Sequence, residues 1–566
     1  MEVFEMKKTV AIALVLLLAV CSLAIGAQAE EEMLTLSVLG HQRSGITFEE
    51  VQTIHAWDVL MDMFAENNLV LDFTVVEADQ YNTVLNATIA SGDMPDFFKA
   101  SLIETDKINL IESGQLMNID DALAYSDGTA SFEFSEDGLY SISRQQNTYV
   151  DGGMYFFGNV SKQIAVDVED FGSNAIVGNN CAMLMRQDWL DALDLDMPTT
   201  TAEVLEVLRA FQDNDMNGNG LRDERICLDV DSYFNGVAQW FGLAPFVYQY
   251  NHSTGKAEVP VMQDGFDEYI AFMKELVDAG VLFLGDEVSY YNGGTSEGSS
   301  LGAAMQENSV AAYYGVALAD HALQPEGAVY AIMPNIQGAE GIAPVMNVSV
   351  GYKVWGGWAF SSAANPEAVA AFLDTICTKE YAIWVTFGVE GETYTIDPES
   401  GLYTFTASNV VADILETKVA RGYPLVIDSF LPDASQIGWY QEYYGPLNWT
   451  SYSDFLDSAY FRESIATSYP EHQIANFITW CKYAEETQKY NFNEDLGMIA
   501  PMNTLEEADT LSFYEADLDT YMSEMLSNLI NGTYSLEELD AYRETLYSLG
   551  LQEVWDVHQA QYDRMV

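Results

Sequence analysis

The stretch from residue 33 to residue 100 alternates between two hydrophobic patterns, and this alternation restricts the fold more than any other feature. Three short runs are typical of strands: "MLTLSVLG" (33–40), "LVLDFTVVE" (69–77) and "PDFFKA" (95–100). Between them, "FEEVQTIHAWDVLMDMFAENN" (48–68) and "QYNTVLNATIASGD" (80–93) have the spacing of amphipathic helices, the second closing at Gly92. Strand, helix, strand, helix, strand predicts the opening of a parallel α/β domain.

A second α/β segment begins near residue 181. "CAMLMR" (181–186) is typical of a strand, and Thr200 with Glu203 forms a capping box that starts a helix. "FDEYIAFMKELVDAG" and "NPEAVAAFLDTIC" predict two more helices, and the last hundred or so residues predict mainly helices. Because 566 residues are too many for one hydrophobic core, we expect roughly two or three domains.

The N-terminus has the pattern of an export signal. "MKK" (6–8) is basic, an apolar run follows it, and "AQA" (27–29) is a small-residue cleavage site. We therefore expect residues 1–29 to be removed and the protein to be exported, extracellular or associated with the cell surface. Lipid attachment at Cys21 is the alternative, because "LAVC" (18–21) resembles a lipobox in which Val20 replaces the usual small residue.

The charge is strongly negative, with 22 Lys and Arg against 87 Asp and Glu, a net charge of −65. Such a surface repels phosphate backbones, so nucleic acid is excluded as a partner. It also argues against an anionic ligand. Aromatic residues make up 13% of the chain, which suits a protein that grips sugar rings or peptides.

The later cysteines are Cys181, Cys227, Cys377 and Cys481, which are far apart and contain no CxxC pair. This spacing speaks against a zinc site or a redox motif. The sequence leaves open whether the four form two disulfides or remain buried thiols.

The segment "DNDMNGNGLRDE" (213–224) combines four carboxylates, three asparagines and two glycines, and it predicts a calcium loop. Two registers fit. In the first, Asp213 opens an EF-hand pattern that Glu224 closes at the twelfth place. In the second, Asp215, Asn217 and Asn219 alternate, Gly220 turns the chain and Leu221 offers its carbonyl. A solvated turn after a helix is the alternative to both.

No segment has a convincing catalytic pattern. "GTSEG" (294–298) matches a nucleophile elbow but lies in a Gly/Ser-rich loop without a preceding strand. The six histidines form no HExxH motif, and paired carboxylates are uninformative among so many acids. We therefore predict that the protein is not an enzyme.

Two aromatic segments, "QWFG" (239–242) and "VWGGW" (354–358), place Trp beside glycine outside any helical stripe. Such positions can present a flat ring to a cleft, and core packing is the alternative.

Several stretches, taken in order, resemble one family. They are "ASGDMPDFF", "MRQDWLDALDLDMPTTTAEVLEVLRAF" with "DMNGNGLRDE", "AFMKELVDAGVL", "NPEAVAAFLDTI", "FGVEGETYTID" and "ETLYSLGLQEVWDVHQAQYDR". Together they resemble the extracellular solute-binding proteins of ABC transporters (family 1), in particular the oligosaccharide-binding branch with LipO-like and alginate-binding proteins.

This resemblance implies a type II periplasmic-binding-protein-like α/β fold: two α/β lobes joined by a hinge, with a mainly helical C-terminal part. We expect the first lobe in residues 33–165 and 320–395. The second lobe is expected in residues 166–319 and 396–566.

The resemblance also implies a structural Ca²⁺ in the second register, and every position of that register matches. The ligands would be Asp215, Asn217, Asn219, Leu221, Asp223 and Glu224.

As function, the resemblance implies an ABC importer's binding component, a monomer that delivers an oligosaccharide to permease subunits. The negative charge favours a neutral or weakly charged oligosaccharide. We expect the ligand cleft to contain Trp240, Trp355, Trp358 and Tyr394, with Glu390 and Arg186 as polar partners. A peptide- or signal-binding receptor of the same fold, and a secreted polysaccharide-degrading enzyme, are the alternatives.

Overall fold

A computed structural model describes most of residues 33–405 and 501–564 and only scattered positions between 406 and 500. The gaps are 43–46, 139, 162–164, 168–173, 177–180, 230–235, 244–248, 252–254, 286–299, 317–324, 326, 345–352, 393, 397 and 399–402.

The strands of at least three residues in the described part are β1 (Leu34–His41), β2 (Leu69–Val76), β3 (Phe97–Lys99), β4 (Phe156–Ser161), β5 (Ala165–Asp167), β6 (Asn174–Ile176), β7 (Cys181–Arg186), β8 (Arg225–Asp229), β9 (Gln249–Asn251), β10 (Lys256–Glu258), β11 (Leu282–Gly285), β12 (Val310–Val316), β13 (Tyr330–Ile332), β14 (Lys353–Phe360), β15 (Tyr394–Ile396) and β16 (Tyr403–Phe405). The α-helices are α1 (Phe48–Val51), α2 (His55–Glu66), α3 (Tyr81–Ser91), α4 (Glu104–Glu112), α5 (Ile119–Leu123), α6 (Thr129–Glu133), α7 (Ser141–Asn147), α8 (Gln187–Leu193), α9 (Thr201–Asp213), α10 (Gly265–Asp278), α11 (Ser300–Gln306), α12 (Pro366–Ile376), α13 (Lys379–Phe387), α14 (Leu505–Ile530), α15 (Leu539–Ser548) and α16 (Leu551–Asp563).

The first sheet has the strand order β2-β1-β3-β14-β4. β1 pairs in parallel with β2 and with β3, while β14 runs antiparallel to β3 and β4. Successive residues of β3 point to opposite faces, so Phe97 enters one core with Trp358 and Phe98 enters another with Ala359. The parallel α/β opening predicted from residues 33–100 is present as β1, α2, β2, α3 and β3.

The second sheet has the order β11-β8-β12-β7-β13. β8 pairs in parallel with β11 and β12, and β7 is antiparallel to β12 and β13. The pairing Tyr330↔Arg186 places β13 in this second sheet. Our boundary at residue 320, which assigned β13 to the first lobe, is therefore wrong. Nothing in the short β13 itself indicates which sheet it joins, since that depends on β7, over 140 residues earlier.

Local signals place the helix ends where the sequence predicts them. Thr200 and Glu203 form the reciprocal capping box of α9, and Asn365 caps α12 with Pro366 in its first turn. Gly92, at φ 74°, takes the left-handed conformation that closes α3. These caps fix where the loops at the sheet edges begin.

The C-terminal helices join the two halves of the molecule. Met502 and Ala508 belong to a core on the first sheet, whereas Leu518 and Leu529 of α14 belong to the core of the second sheet. The Glu104 carboxylate of α4 accepts hydrogen bonds from the Asn503 amide nitrogen (3.1 Å) and from its Nδ2 (2.6 Å). One helix is thus anchored in both lobes.

The leader, with Cys21 and the cleavage site at Ala29, lies outside the described residues, as does "GTSEG" (294–298). Cys227, Cys377 and Cys481 are buried and form no disulfide, so the four later cysteines do not form two disulfides. Within the described ranges, the structure has no helix with the length and apolarity needed to cross a membrane.

We predict that Leu518→Ala lowers the free energy of unfolding by about 2–5 kcal/mol, because Leu518 is completely buried where α14 meets the second core. Phe513→Ala, on the same helix but 74% exposed, should change it by less than about 0.5 kcal/mol. Urea unfolding followed by tryptophan fluorescence measures both. Equal midpoints for the two variants would contradict the position of α14.

Candidate functional site

The loop after α9 turns its side-chain oxygens inward in the second of the two registers. The Gly220 amide donates to both Asp215 carboxylate oxygens (3.0 and 3.1 Å). The Asn219 amide donates to Asn217 Oδ1 at 3.1 Å, and the Leu221 amide donates to Asn219 Oδ1 at 2.7 Å. Positive φ angles at Asp215, Gly218 and Gly220 allow this tight winding.

Glu224 is the last residue of the loop and is fully buried. Its Oε1 accepts a hydrogen bond from the Asn217 amide (3.2 Å), whereas its Oε2 has no hydrogen-bond partner. The Asp223 carboxylate accepts hydrogen bonds from the side-chain amides of Asn217 and Asn219, both at 2.9 Å. A buried carboxylate oxygen without a donor is costly, and a hard cation is one group that would satisfy it.

The EF-hand register is not what the loop adopts, because Asp213 turns outward and forms an exposed ion pair with Arg222. Leu221 also directs its side chain to solvent, which leaves only its backbone for an inward contact. Among the described residues, no cluster of three or more His, Cys, Asp or Glu side chains is arranged to hold a metal. A cation here would thus depend on amide and backbone oxygens as well as on carboxylates.

The loop is tied to the second core through one side chain. Gln212, at the end of α9, is buried and donates from Nε2 to the carbonyls of Glu224 (3.1 Å) and Gly280 (2.9 Å). Since Gly280 follows α10, the loop conformation and the α9–α10 packing depend on each other.

Trp240 and Trp358, expected in a ligand cleft, are core residues in this structure. Trp240 is 2% exposed and packs beside Phe272, with ring centroids 6.3 Å apart. Trp358 is fully buried and stacks on Phe97 at 5.1 Å with 11° between the rings. Core packing, the alternative that the sequence left open, describes both rings, and they belong to different cores.

Arg186 is also buried, and its guanidinium is engaged within the protein. Nε and Nη2 bind the two Asp188 carboxylate oxygens at 2.8 and 2.6 Å, and Nη1 donates to Asn308 at 2.6 Å. The guanidinium lies 3.9 Å from the ring centroid of Trp189. These contacts fix the Arg186 side chain at the end of β7. They give no support to the expected contact between Arg186 and a ligand.

The remaining expected contacts lie with the first lobe. Glu390 is exposed and forms a backbone bridge with Tyr394, which is 5% exposed and opens the β15–β16 hairpin. Trp355 lies on β14 beside an irregularity between Trp355 and Trp358, and its side chain is outside the described part. The structure therefore brings Glu390 and Tyr394 together but places Trp240 and Arg186 with the other sheet.

The sequence reading missed the carboxyl end of β3, where open α/β sheets usually bind ligands. The Tyr81 hydroxyl accepts a hydrogen bond from the Lys99 amide (2.9 Å) and donates to the Lys99 carbonyl (2.8 Å). The His41 ring, at the end of β1, packs against Tyr81 at 5.3 Å. The position of Lys99 at the end of the predicted strand "PDFFKA" was the available signal.

Comparison with known proteins adds to this geometry. No protein-family model matches the chain. The chain is 23% identical over 528 residues to the fructooligosaccharide ABC transporter substrate-binding protein FusA of Streptococcus pneumoniae, covering 89% of this chain and 86% of FusA. It is 27% identical over 217 residues to the lipoprotein LipO of Bacillus subtilis, covering 37% of this chain and 38% of LipO.

Solved structures show the same fold. An extracellular solute-binding protein from Bifidobacterium longum subsp. infantis matches with a TM-score of 0.67 and 19% identity, over 94% of this chain and 98% of that protein. The chain is a relative of the extracellular solute-binding proteins of ABC transporters. Its two sheets and many helices have the two-lobed type II architecture that we expected.

Two further solute-binding proteins of this fold concern calcium or its typical motif. One is an EF-hand mutant of S. pneumoniae FusA in complex with fructo-nystose (TM-score 0.64, 18% identity, 94% of this chain and 99% of that protein). The other is the alginate-binding protein AlgQ2 without calcium ion (TM-score 0.60, 18% identity, 94% and 98%). These solute-binding relatives are binding proteins and not enzymes, as we expected of this chain.

We predict that Arg186→Met lowers the free energy of unfolding by about 3–5 kcal/mol, because it leaves Asp188 without its buried partner. Arg209→Met, on the exposed face of α9, removes the same charge and should stay within about 0.5 kcal/mol of the unchanged protein. Thermal and urea unfolding of both variants measure the difference. If Arg186→Met keeps the stability of the unchanged protein and loses only ligand binding, the structural role is contradicted and Arg186 contacts the ligand.

Proposed function

We propose that this solute-binding protein is the exported substrate-binding component of an ABC importer, which captures an oligosaccharide and delivers it to membrane permease subunits. The observation that carries the proposal is the similarity to FusA, which extends over 89% of this chain rather than over a single motif. The two sheets with separate cores supply the two bodies that such a capture requires.

Binding of this kind needs no covalent chemistry. Sugar rings bind through their apolar faces on aromatic rings and through hydrogen bonds from their hydroxyls. A ligand that contacts both lobes stabilises the closed conformation over the open one, so closure follows from binding. Trp355, Tyr394 and Glu390 remain the proposed contacts from the first lobe, and Trp240 and Trp358 support the walls behind them.

The proposed location is outside the cell membrane. From the leader pattern we propose that the chain is cleaved after Ala29. Lipid attachment at Cys21 is the alternative, and it would anchor the protein at the cell surface. Intact-mass measurement of the protein released from its native host separates the two. A measured mass equal to that of a chain starting at Glu30 supports cleavage. A mass equal to that of a chain starting at a lipidated Cys21 supports anchoring.

We expect the mature protein to bind oligosaccharides saturably without consuming them. Isothermal titration and thermal shift with a panel of neutral and acidic oligosaccharides and of peptides measure binding, and chromatography of each recovered ligand measures turnover. A rise in melting temperature with an intact sugar is the expected result. Binding of peptides alone would favour the receptor alternative, and recovery of shortened sugars would favour the enzyme alternative.

We further propose that the loop after α9 holds a structural Ca²⁺, which the side chains of Asp215, Asn217, Asn219, Asp223 and Glu224 and the Leu221 carbonyl would bind. The partnerless Glu224 Oε2 and the inward amide oxygens support this donor set, whose hard oxygens suit calcium. When bound, the ion would offset two of the three negative charges of Asp215, Asp223 and Glu224. Gln212 would couple the calcium-bound loop to the α9–α10 packing of the second lobe, because it bonds to the carbonyls of both Glu224 and Gly280.

We predict that Ca²⁺ raises the melting temperature of the unchanged protein and that a chelator reverses the increase, because the ion binds only the folded loop. Glu224→Gln should abolish most of the calcium-dependent increment. Glu206→Gln, on the exposed face of α9, removes the same charge and should keep it. A protein whose melting temperature ignores both calcium and chelator would contradict the proposed ion.

A further inference from the structure

The first sheet presents the ends of three parallel strands at one edge, and His41 is the last residue of one of them. β1 pairs in parallel with β2 and β3, so their carboxyl ends lie at the same edge of the sheet. The register Leu39↔Phe98, continued by two residues, places His41 level with Ala100. Open α/β sheets usually bind their ligands beyond this edge. His41 therefore lies where a ligand of the first lobe is expected.

The same edge carries one of the contacts that we propose above. The Ala100 amide donates a 2.7 Å hydrogen bond to the Gly357 carbonyl of β14, and Trp355 precedes Gly357 by two residues. Since β14 runs antiparallel to β3, that step leads further toward the carboxyl edge. Neighbouring strands are about 4.8 Å apart, so β1 and β14, with β3 between them, are separated by about 10 Å. A chain of sugar rings spans such a separation more readily than a single ring.

The tautomer of His41 follows from its hydrogen bond. The ring is half-buried, and its Nδ1 lies 3.1 Å from the Gln42 carbonyl oxygen. A carbonyl oxygen can only accept, so Nδ1 must carry the proton of this bond. In the neutral imidazole, Nε2 then has the lone pair and acts as an acceptor. No described residue donates a hydrogen bond to Nε2, which leaves this nitrogen for a ligand.

The backbone beside His41 is held in place by the next residue. The Gln42 side chain donates from Nε2 to Glu77 Oε1 at 2.6 Å, and its Oε1 accepts from the Phe48 amide at 2.9 Å. The Gln42 backbone amide donates to the Val76 carbonyl at 2.7 Å. These three bonds fix the carbonyl that orients the imidazole of His41.

The imidazole is also held by the ring of Tyr81. The two rings meet edge to face, with their centroids 5.3 Å apart. The Tyr81 hydroxyl is in turn bound to the Lys99 backbone, where it accepts from the amide at 2.9 Å and donates to the carbonyl at 2.8 Å. A group that is already fixed loses less conformational entropy when it binds. His41 Nε2 is thus a preorganised hydrogen-bond acceptor.

We propose that His41 is a ligand-contacting, specificity-determining residue of the first lobe, whose Nε2 accepts a hydrogen bond from a sugar hydroxyl. The inference rests on the proposed capture of an oligosaccharide and adds a contact that the sequence did not indicate. An acceptor at this place favours a hydroxyl and disfavours a group that can only accept, such as a carboxylate or a methyl ether. It agrees with the neutral or weakly charged oligosaccharide that the charge of the chain favours.

The test begins with isothermal titration of the unchanged protein against kestose, maltotriose, xylotriose, sialyllactose and trigalacturonate, and the probe that binds most tightly is used with the variants. His41→Phe keeps a ring for the contact with Tyr81 but has neither nitrogen. His41→Asn keeps a donor near Nδ1 without an equivalent of Nε2, and His41→Gln has an amide oxygen that reaches the position of Nε2. The control is Thr35→Phe, an exposed position on the same strand that lies about 20 Å from His41.

We expect His41→Phe and His41→Asn to bind the probe about three- to tenfold more weakly, which corresponds to the loss of one hydrogen bond between uncharged groups. His41→Gln and Thr35→Phe should keep the affinity within about twofold. Melting temperatures measured without the probe verify that each variant is folded.

A second measurement uses the unchanged protein alone. Diethyl pyrocarbonate acylates accessible neutral imidazoles, and mass spectrometry of peptides gives the extent of reaction at each histidine. A saturating concentration of the probe should slow the acylation of His41. His55, whose imidazole is exposed at the start of α2, is the internal control and should react at an unchanged rate.

Full affinity in folded His41→Phe, or equal acylation of His41 with and without the probe, would overturn the contact. Either result would leave the proposed transport function intact, because the unchanged protein still binds the probe. If His41→Phe does not fold, the acylation of the unchanged protein decides. If no oligosaccharide binds the unchanged protein, the proposed function is overturned, and the His41 contact with it.

Discussion

In the described part of the chain, the helix α14 packs into the cores of both sheets and so holds the two lobes together. The first turn of α14 packs with the first sheet, and its middle and end pack with the second. A 26-residue α-helix is about 39 Å long and does not bend sharply without a break in its hydrogen bonds. The change from the first core to the second therefore falls along the first half of α14, just after the bonds from Asn503 to Glu104.

This arrangement explains why side chains expected to contact the ligand are buried instead. A rigid body that closes on a solute needs walls that keep their shape, and Trp358 on Phe97 and Trp240 beside Phe272 supply such packing. Arg186 acts in the same way, since it fixes Asp188 and Asn308 at the end of β7. The contacts that we propose for the ligand, Trp355, Tyr394 and Glu390, lie on β14 and beside the β15–β16 hairpin.

Local patterns predicted the elements well, because each was encoded within a few residues. The capping box at Thr200 and the helix end at Gly92 are examples. Long-range pairing was not predictable in this way. The assignment of β13 depends on β7, and whether a tryptophan beside glycine faces a cleft or a core depends on rings such as Phe97 that come from distant strands.

The uneven distribution of charge bears directly on the proposed calcium loop. With 87 acids in 566 residues, most carboxylates face water, where repulsion between them is weakened by salt. Glu224 is fully buried and lacks that screening, and its Oε2 has no hydrogen-bond partner within the described part of the chain. The Ca²⁺ that we propose for the loop after α9 would supply the missing counter-charge, and it would bind there because the buried carboxylate cannot be satisfied by bulk water.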